Sequence, residues 1–182
     1  MCSTCFEVQA TVNGVSVCST RTGTSLDTQA LLDLGAQCVQ VARRDKMPIG
    51  MAWQERSTSS LAIIEGWLAG GWNVGILLGH SNLIDVEYDD DAGRQLLASM
   101  GLLNIETPTW SSGRGEHRLF RLADPLPERG WRKIGGAEFR LGGKPAQSVL
   151  PPSIHPNGSS YAWTISPLQC DAAVVTLADL GL

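Results

Sequence analysis

The sequence predicts an α+β (α/β) fold, a mostly antiparallel sheet flanked by helices, and three observations carry that prediction. The second half breaks into short alternating segments, "TPTWSS", "EHRLFR", "AEFR" and "AQSVLP", separated by glycine and proline. Two segments place apolar residues at helical spacing instead: Leu61, Ile64 and Leu68 in one, Ala92, Leu96 and Met100 in the other. Between them runs "WNVGILLGHSNLIDVE", an apolar stretch divided at Gly79 to Asn82 into two halves of strand length. With 182 residues the chain can bury a core as one domain or as two small lobes.

The elements follow in order. Residues 1–27 are rich in Ser and Thr and read as an N-terminal extension with room for flexibility, in which Asn13-Gly14 predicts a hairpin turn. Residues 28–182 form the functional domain. "TQALLDLG" from Thr28 predicts a short helix ended by Gly35, and "CVQVA" a strand, before a loop holding Arg43, Arg44, Lys46 and Pro48. Ser60 is placed to N-cap the Leu61 helix. Trp72 to Leu78 and Leu83 to Glu87 are expected to pair as antiparallel strands. Asp89 to Asp91 sit where a helix N-terminus favours acids. A rigid turn in "PPSIHPNG" leads into a strand at Tyr161, and "DAAVVTLADLGL" is expected to close the chain as a helix.

Composition excludes several classes. The longest apolar runs fall short of the roughly 18 residues that cross a bilayer, and the start lacks the basic and apolar regions of a secretion signal. Five cysteines, an odd number, do not resemble a disulfide framework, so the cytoplasm is the expected location. Cys2-x-x-Cys5 with Cys18 supplies only part of a zinc site. A net charge of −4 argues against holding nucleic acid by bulk electrostatics. The charge is uneven, however: Arg114 to Lys144 carries eight basic residues against four acidic ones. Asp85, Glu87, Asp89, Asp90 and Asp91 crowd together, and would repel phosphate unless a cation neutralised them.

Asp85 and Glu87 are two residues apart on a strand, so both project from one face. Hard oxygen ligands in that arrangement suit Mg²⁺ or Mn²⁺. A pair of acids at a strand end is by itself more often solvated; burial beside Leu83 and Ile84 tips the balance toward a cation. Glu138, after Gly135-Gly136, offers a third carboxylate, enough for two ions in phosphoryl transfer. His117 follows Ser111, Ser112, Gly113, Arg114 and Gly115, a loop of backbone donors and positive charge suited to phosphate oxygens. On a regular strand His117 opposes Arg114, Glu116, Arg118 and Phe120 and faces the acids, where it is expected to donate to a triphosphate. Arg140 shares the face of Glu138, either to bind phosphate or to pair with the acids. Ser153 and His155 stand on the rigid turn. Trp53, Trp67, Trp110 and Trp131 are candidate base-stacking platforms, with core packing expected for most of them.

These motifs, ordered from about Gln29 to Trp163, resemble the bifunctional primase/polymerase domain of the archaeo-eukaryotic primase superfamily. "RRDKMPIGMAW" is similar to an early family segment in which a lysine precedes a proline and a tryptophan follows. Asp85-x-Glu87 looks like the first catalytic motif, Gly113-x-Gly115-x-His117 the nucleotide-binding histidine motif, and Glu138-x-Arg140 the third, where the family more often has Asp. "PPSIHPNG" with Tyr161 and Trp163 looks like its ending. Ser148-Val149-Leu150 departs from the pattern, and residues 1–27 match nothing in it.

The resemblance implies template-directed synthesis of primers and DNA with two divalent ions, often with a helicase fused or encoded nearby, commonly on plasmids and phages. It implies metal ligation by Asp85, Glu87 and Glu138. Nucleotide binding then falls to His117, Arg114, Ser112 and Arg140, with support from Lys46, Ser153 and His155. Arg129, Arg132 and Lys133 are the expected contacts to single-stranded template. With no Gly-x-x-x-x-Gly-Lys loop, the chain is expected to be a stand-alone catalytic domain or a piece of something longer, relying on a helicase or DNA-binding module. The rival readings are a metal-dependent nuclease using the same carboxylates and a non-catalytic DNA-binding replication module.

Overall fold

The computed structural model describes residues 23–182 in full and residues 6–12 and 15–21 as backbone strands. Those two strands, β1 (Phe6–Val12) and β2 (Val15–Arg21), pair antiparallel with Val12 opposite Val15, the register of a hairpin. Cys2, Cys5 and the side chain of Cys18 lie outside the described residues, as do Asn13 and Gly14 themselves. Helix α1 (Gly23–Asp33) starts five residues before the expected Thr28.

A small sheet and a large sheet follow. The small one has three antiparallel strands in the order β10, β4, β3: β3 (Cys38–Val41), β4 (Asn73–Leu78) and β10 (Ala146–Val149). Helix α1 and helix α2 (Leu61–Ala69) pack with it, Ile64 being buried as its spacing predicts. Ser60 takes the N-cap position of α2, but its hydroxyl makes no cap bond.

The large sheet runs β11, β6, β7, β5, β9, β8, with β12 beside β7. Its strands are β5 (Leu83–Tyr88), β6 (Thr109–Ser111), β7 (Glu116–Leu122), β8 (Trp131–Ile134), β9 (Ala137–Arg140), β11 (Ala162–Ile165) and β12 (Ala173–Val175). Helix α3 (Asp91–Ser99) covers one face. Asp90 caps it by accepting from the Gly93 amide at 2.8 Å, as the run of acids predicts. Its inward stripe is Gly93, Leu96, Leu97 and Met100, with Ala92 exposed, one position round from the expected one. Gly93 is required there, because a Cβ would sit 2.6 Å from the Gly136 carbonyl oxygen.

Two expectations are corrected. β4 and β5 do not pair, because each is an interior strand with both edges taken, β4 by β3 and β10, β5 by β7 and β9. The segment between them carries the chain from one sheet to the other through left-handed Gly79, Ser81 and Asn82, and the Gly79 amide donates to the Leu83 carbonyl at 2.8 Å. Arg121 holds that crossing by donating to the carbonyls of Ser81 and, at 2.8 Å, Leu34. The C-terminal segment is not a helix either. Ala173–Val175 adds to β7 in parallel, beside Phe120 to Leu122, the part of β7 that the short β6 leaves uncovered. Thr176 then turns the chain, its amide donating to Asp179 Oδ2 at 2.7 Å, and Leu180 is buried in the second core.

The two sheets meet face to face at one end, where Leu83, Trp110 and Leu119 of the large sheet join Ile76 and Val149 of the small one. Beyond that contact the residues Asp85, Glu87 and His117 continue along the same face.

Candidate metal centre

β5 alternates strictly: Ile84 and Val86 enter the apolar layer under α3, while Leu83, Asp85 and Glu87 face the other way. Register then assembles the site. Asp85 lies opposite Leu119 and Arg140, and Glu87 opposite His117 and Glu138, so β7, β5 and β9 deliver their polar residues side by side. Asp85 is 0% exposed, Glu87 6% and His117 5%.

His117 Nδ1 is 2.8 Å from both Asp85 Oδ2 and Glu87 Oε2. Arg140 closes the other side, its Nη2 donating to Glu87 Oε1 at 2.6 Å and to Glu138 Oε2 at 3.3 Å. Lys133 Nζ donates to Glu138 Oε1 at 3.0 Å, and the Trp131 indole nitrogen to Glu138 Oε2 at 3.4 Å. Three carboxylates thus meet three cations. Burial works against ionising His117, but the charges and hydrogen bonds of Asp85 and Glu87 outweigh it and raise its pKa to about 9. Burial likewise opposes the Asp85 carboxylate, and His117, Arg140 and Ser148 outweigh it and lower its pKa. Glu138, less buried, is held down at about 2, burial again being outweighed, by the Lys133 hydrogen bond and Arg140.

Ligand atoms of Asp85, Glu87 and His117 all lie within 4.8 Å of one another. Asp85 Oδ2 also accepts from the Ser148 hydroxyl, yet Asp85 Oδ1 is buried with no donor among the described residues. A buried carboxylate oxygen without a partner is costly, and a divalent cation would satisfy it. Two carboxylates and an imidazole fit Mn²⁺ by donor type and leave Mg²⁺ its preferred oxygens. Glu138 stands outside this group, engaged by Lys133 and Arg140.

The glycine-flanked turn between β6 and β7 rests directly on its neighbours. A Cβ at Gly115 would fall 1.7 Å from the Tyr88 carbonyl oxygen, and one at Gly113 would fall 2.7 Å from His155 Nδ1. Ser112 Oγ accepts from the Gly115 amide at 3.1 Å, which holds the turn. Arg114 is exposed, 3.8 Å from Asp89. Ser153 is buried and accepts from the Val74 amide at 3.0 Å, a bond of β4 rather than of a ligand. His155 Nδ1 accepts from the Asn157 amide at 3.2 Å, and its ring is 5.8 Å from that of Tyr161. Lys46 is exposed on its loop, with no partner for its ammonium among the described residues. Of the three expected template contacts, Lys133 is engaged by Glu138, Arg132 donates to backbone carbonyls, and Arg129 is exposed without a carboxylate partner among the described residues.

Three residues take roles in the site that sequence patterning does not assign to them. Ser148 joins the sheets by donating to Asp85 and accepting from Arg140 Nη1 at 3.1 Å; a lone hydroxyl in an apolar strand is its only signal. Trp110 is fully buried, donates to the Val149 carbonyl at 2.9 Å, and stacks on His117 at 4.9 Å with planes 4° apart, so it fixes the imidazole rather than a base. Asn73, buried in β4, donates to the carbonyls of Asp45 at 2.9 Å and Ile154 at 2.7 Å, pinning the Lys46 and His155 loops together.

Residues 28–177 match the family described as bifunctional DNA primase/polymerase, N-terminal. No curated protein matches the chain.

Proposed function

The chain belongs to the bifunctional DNA primase/polymerase family, and from that premise we propose that it is a metal-dependent nucleotidyltransferase that makes primers and extends them on single-stranded DNA. The observation that carries the reading is the Asp85, Glu87 and His117 cluster with its unpartnered Asp85 oxygen. Asp85, Glu87 and His117 would hold a divalent cation, Mg²⁺ or Mn²⁺, which when bound would stabilise charge on the reacting phosphate. Release of the His117 proton would accompany its binding. Arg140 would bind the nucleotide triphosphate once Glu87 is committed to a cation, with Arg114 and Lys46 reaching in from exposed loops. His155, on the turn beside Gly113, closes the nucleotide end, while Ser112 and Ser153 hold the loops that present these groups. Glu138, which Lys133 and Arg140 engage, would be the carboxylate available to hold a second cation. A helicase or DNA-binding partner, and replication of a plasmid or phage, are the setting in which such a domain works.

Primer extension with labelled template, dNTP or NTP and Mg²⁺ or Mn²⁺ tests this. Nucleotide incorporation that disappears in EDTA and in Asp85→Asn is expected. Degradation of the labelled strand without added nucleotide would make the chain a nuclease, and DNA binding without either reaction a non-catalytic module.

A further inference from the structure

Two cavities of about 160 and 290 Å³ flank the exposed segment Lys144-Pro145, which lines both. The first runs from Lys144 to Arg129 and Trp131, the second past Gly143 to His80. Among the described residues no Asp or Glu lines either one, in a chain whose net charge is −4. Arg129 and Lys144 are exposed and carry no carboxylate partner among the described residues, whereas Arg118, Arg121 and Arg140 are committed to acids or carbonyls. Arg114 and Lys133 are exposed too but face Asp89 and Glu138, and Arg132 bonds carbonyls, so the exposed cations of the 114–144 segment left without such partners among the described residues are Arg129 and Lys144.

Trp131 is 50% exposed, and its indole nitrogen bonds Glu138 at the edge of the metal centre. A half-exposed indole between two unpaired cations matches a base with its flanking phosphates.

We propose that the groove on either side of Lys144-Pro145 carries a single-stranded nucleic acid, with a base on Trp131 and phosphates at Arg129 and Lys144. The proposal rests on the activity proposed above, and it gives the strand a path that ends at Glu138. It replaces Arg132 and Lys133, which are engaged elsewhere, with Lys144.

The test is fluorescence anisotropy of a labelled oligothymidylate with the full chain across a salt series. Arg129→Glu with Lys144→Glu should weaken binding at least tenfold at low salt and flatten the salt slope by about 0.7 for each phosphate left without its cation. Trp131→Ala should weaken it roughly tenfold, and Trp131→Phe should restore most of that. Mn²⁺ binding by the double variant should match wild type. Wild-type affinity in the double variant, or no oligonucleotide binding by the wild type at any salt, would overturn the groove. Binding through these residues without nucleotide incorporation would leave the groove standing and remove the proposed activity. Incorporation by a protein whose variants bind normally would remove only the groove.

Discussion

Neighbouring residues of β5, β7 and β9 live in opposite worlds. Toward α3, Ile84, Val86, Phe120 and Phe139 form a wholly buried apolar layer. On the other face Asp85, Glu87 and His117 converge, nearly as buried, and Arg140 and Glu138 join them at the rim. The difference is therefore one of compensation rather than of exposure. The apolar face gains stability from every area it removes from water. The charged face gains little net, since the cost of desolvating ions roughly cancels their attraction, yet unpairing any one of them is expensive. One sheet thus divides labour by residue parity, and a slip of one residue in β5 would exchange the two faces.

Single substitutions can break that division. Phe139→Ala should cost about 3–5 kcal/mol of stability through the cavity it leaves, while each folded molecule keeps incorporating nucleotide. Asp85→Asn, on the adjacent strand but the opposite face, should do the reverse. It should lower incorporation by about 10²-fold or more and shift the unfolding midpoint less than Phe139→Ala, because the amide keeps the side chain's volume and His117 and Arg140 both retain Glu87 as a partner. Urea unfolding and primer extension on both proteins decide it. Equal stability losses with equal activity losses would show that the two faces are not separable.

The charged face should also be the one that responds to pH. His117 has its pKa raised to about 9, above the ordinary value of 6.5, so its stabilisation is complete below about pH 6.5 and is lost as pH rises through 9. Asp85 and Glu138 are shifted down, so their contribution is present above the usual carboxylate range and fades only in acid, for Glu138 through about 2. Between pH 6.5 and 9.5 in EDTA the chain should lose about 3 kcal/mol, and His117→Gln should flatten the slope. Cation affinity should rise over the same interval as the imidazole gives up its proton. A slope unchanged in His117→Gln would place the titrating group elsewhere.

Much of this contrast is legible in the sequence, because parity along a strand is local. Asp85-x-Glu87 and the outward turn of His117 need only a period of two. What local patterning cannot give is pairing. The segment "WNVGILLGHSNLIDVE" contains two strands joined by four residues, the signature of a hairpin, and only the long-range arrival of β10 and β7 makes both interior. The last segment, "AAVVT", is equally ambiguous: Val174 and Val175 favour a strand, but an open edge on β7 has to exist for one to form. Arg129, Arg132 and Lys133 look alike in sequence, and only the approach of Glu138 and the local carbonyls distinguishes the engaged from the free.

The smallest effect concerns Ser148, through which the small sheet reaches into the charged face. Ser148 donates to Asp85 Oδ2 and accepts from Arg140, so it fixes the carboxylate rotamer that leaves Oδ1 without a donor. Ser148→Ala deletes one oxygen and leaves the core otherwise intact, so the fold should hold. Cation affinity should nevertheless fall, because partners that orient a ligand commonly contribute tenfold or more. Titrating free Mn²⁺ by electron paramagnetic resonance reads this without any turnover, and Ser148→Thr, which keeps the hydroxyl, should recover part of the loss. If the alanine variant binds Mn²⁺ as tightly as wild type, then His117 and the register of β5 are sufficient to aim Asp85, and the two sheets are joined there by packing alone.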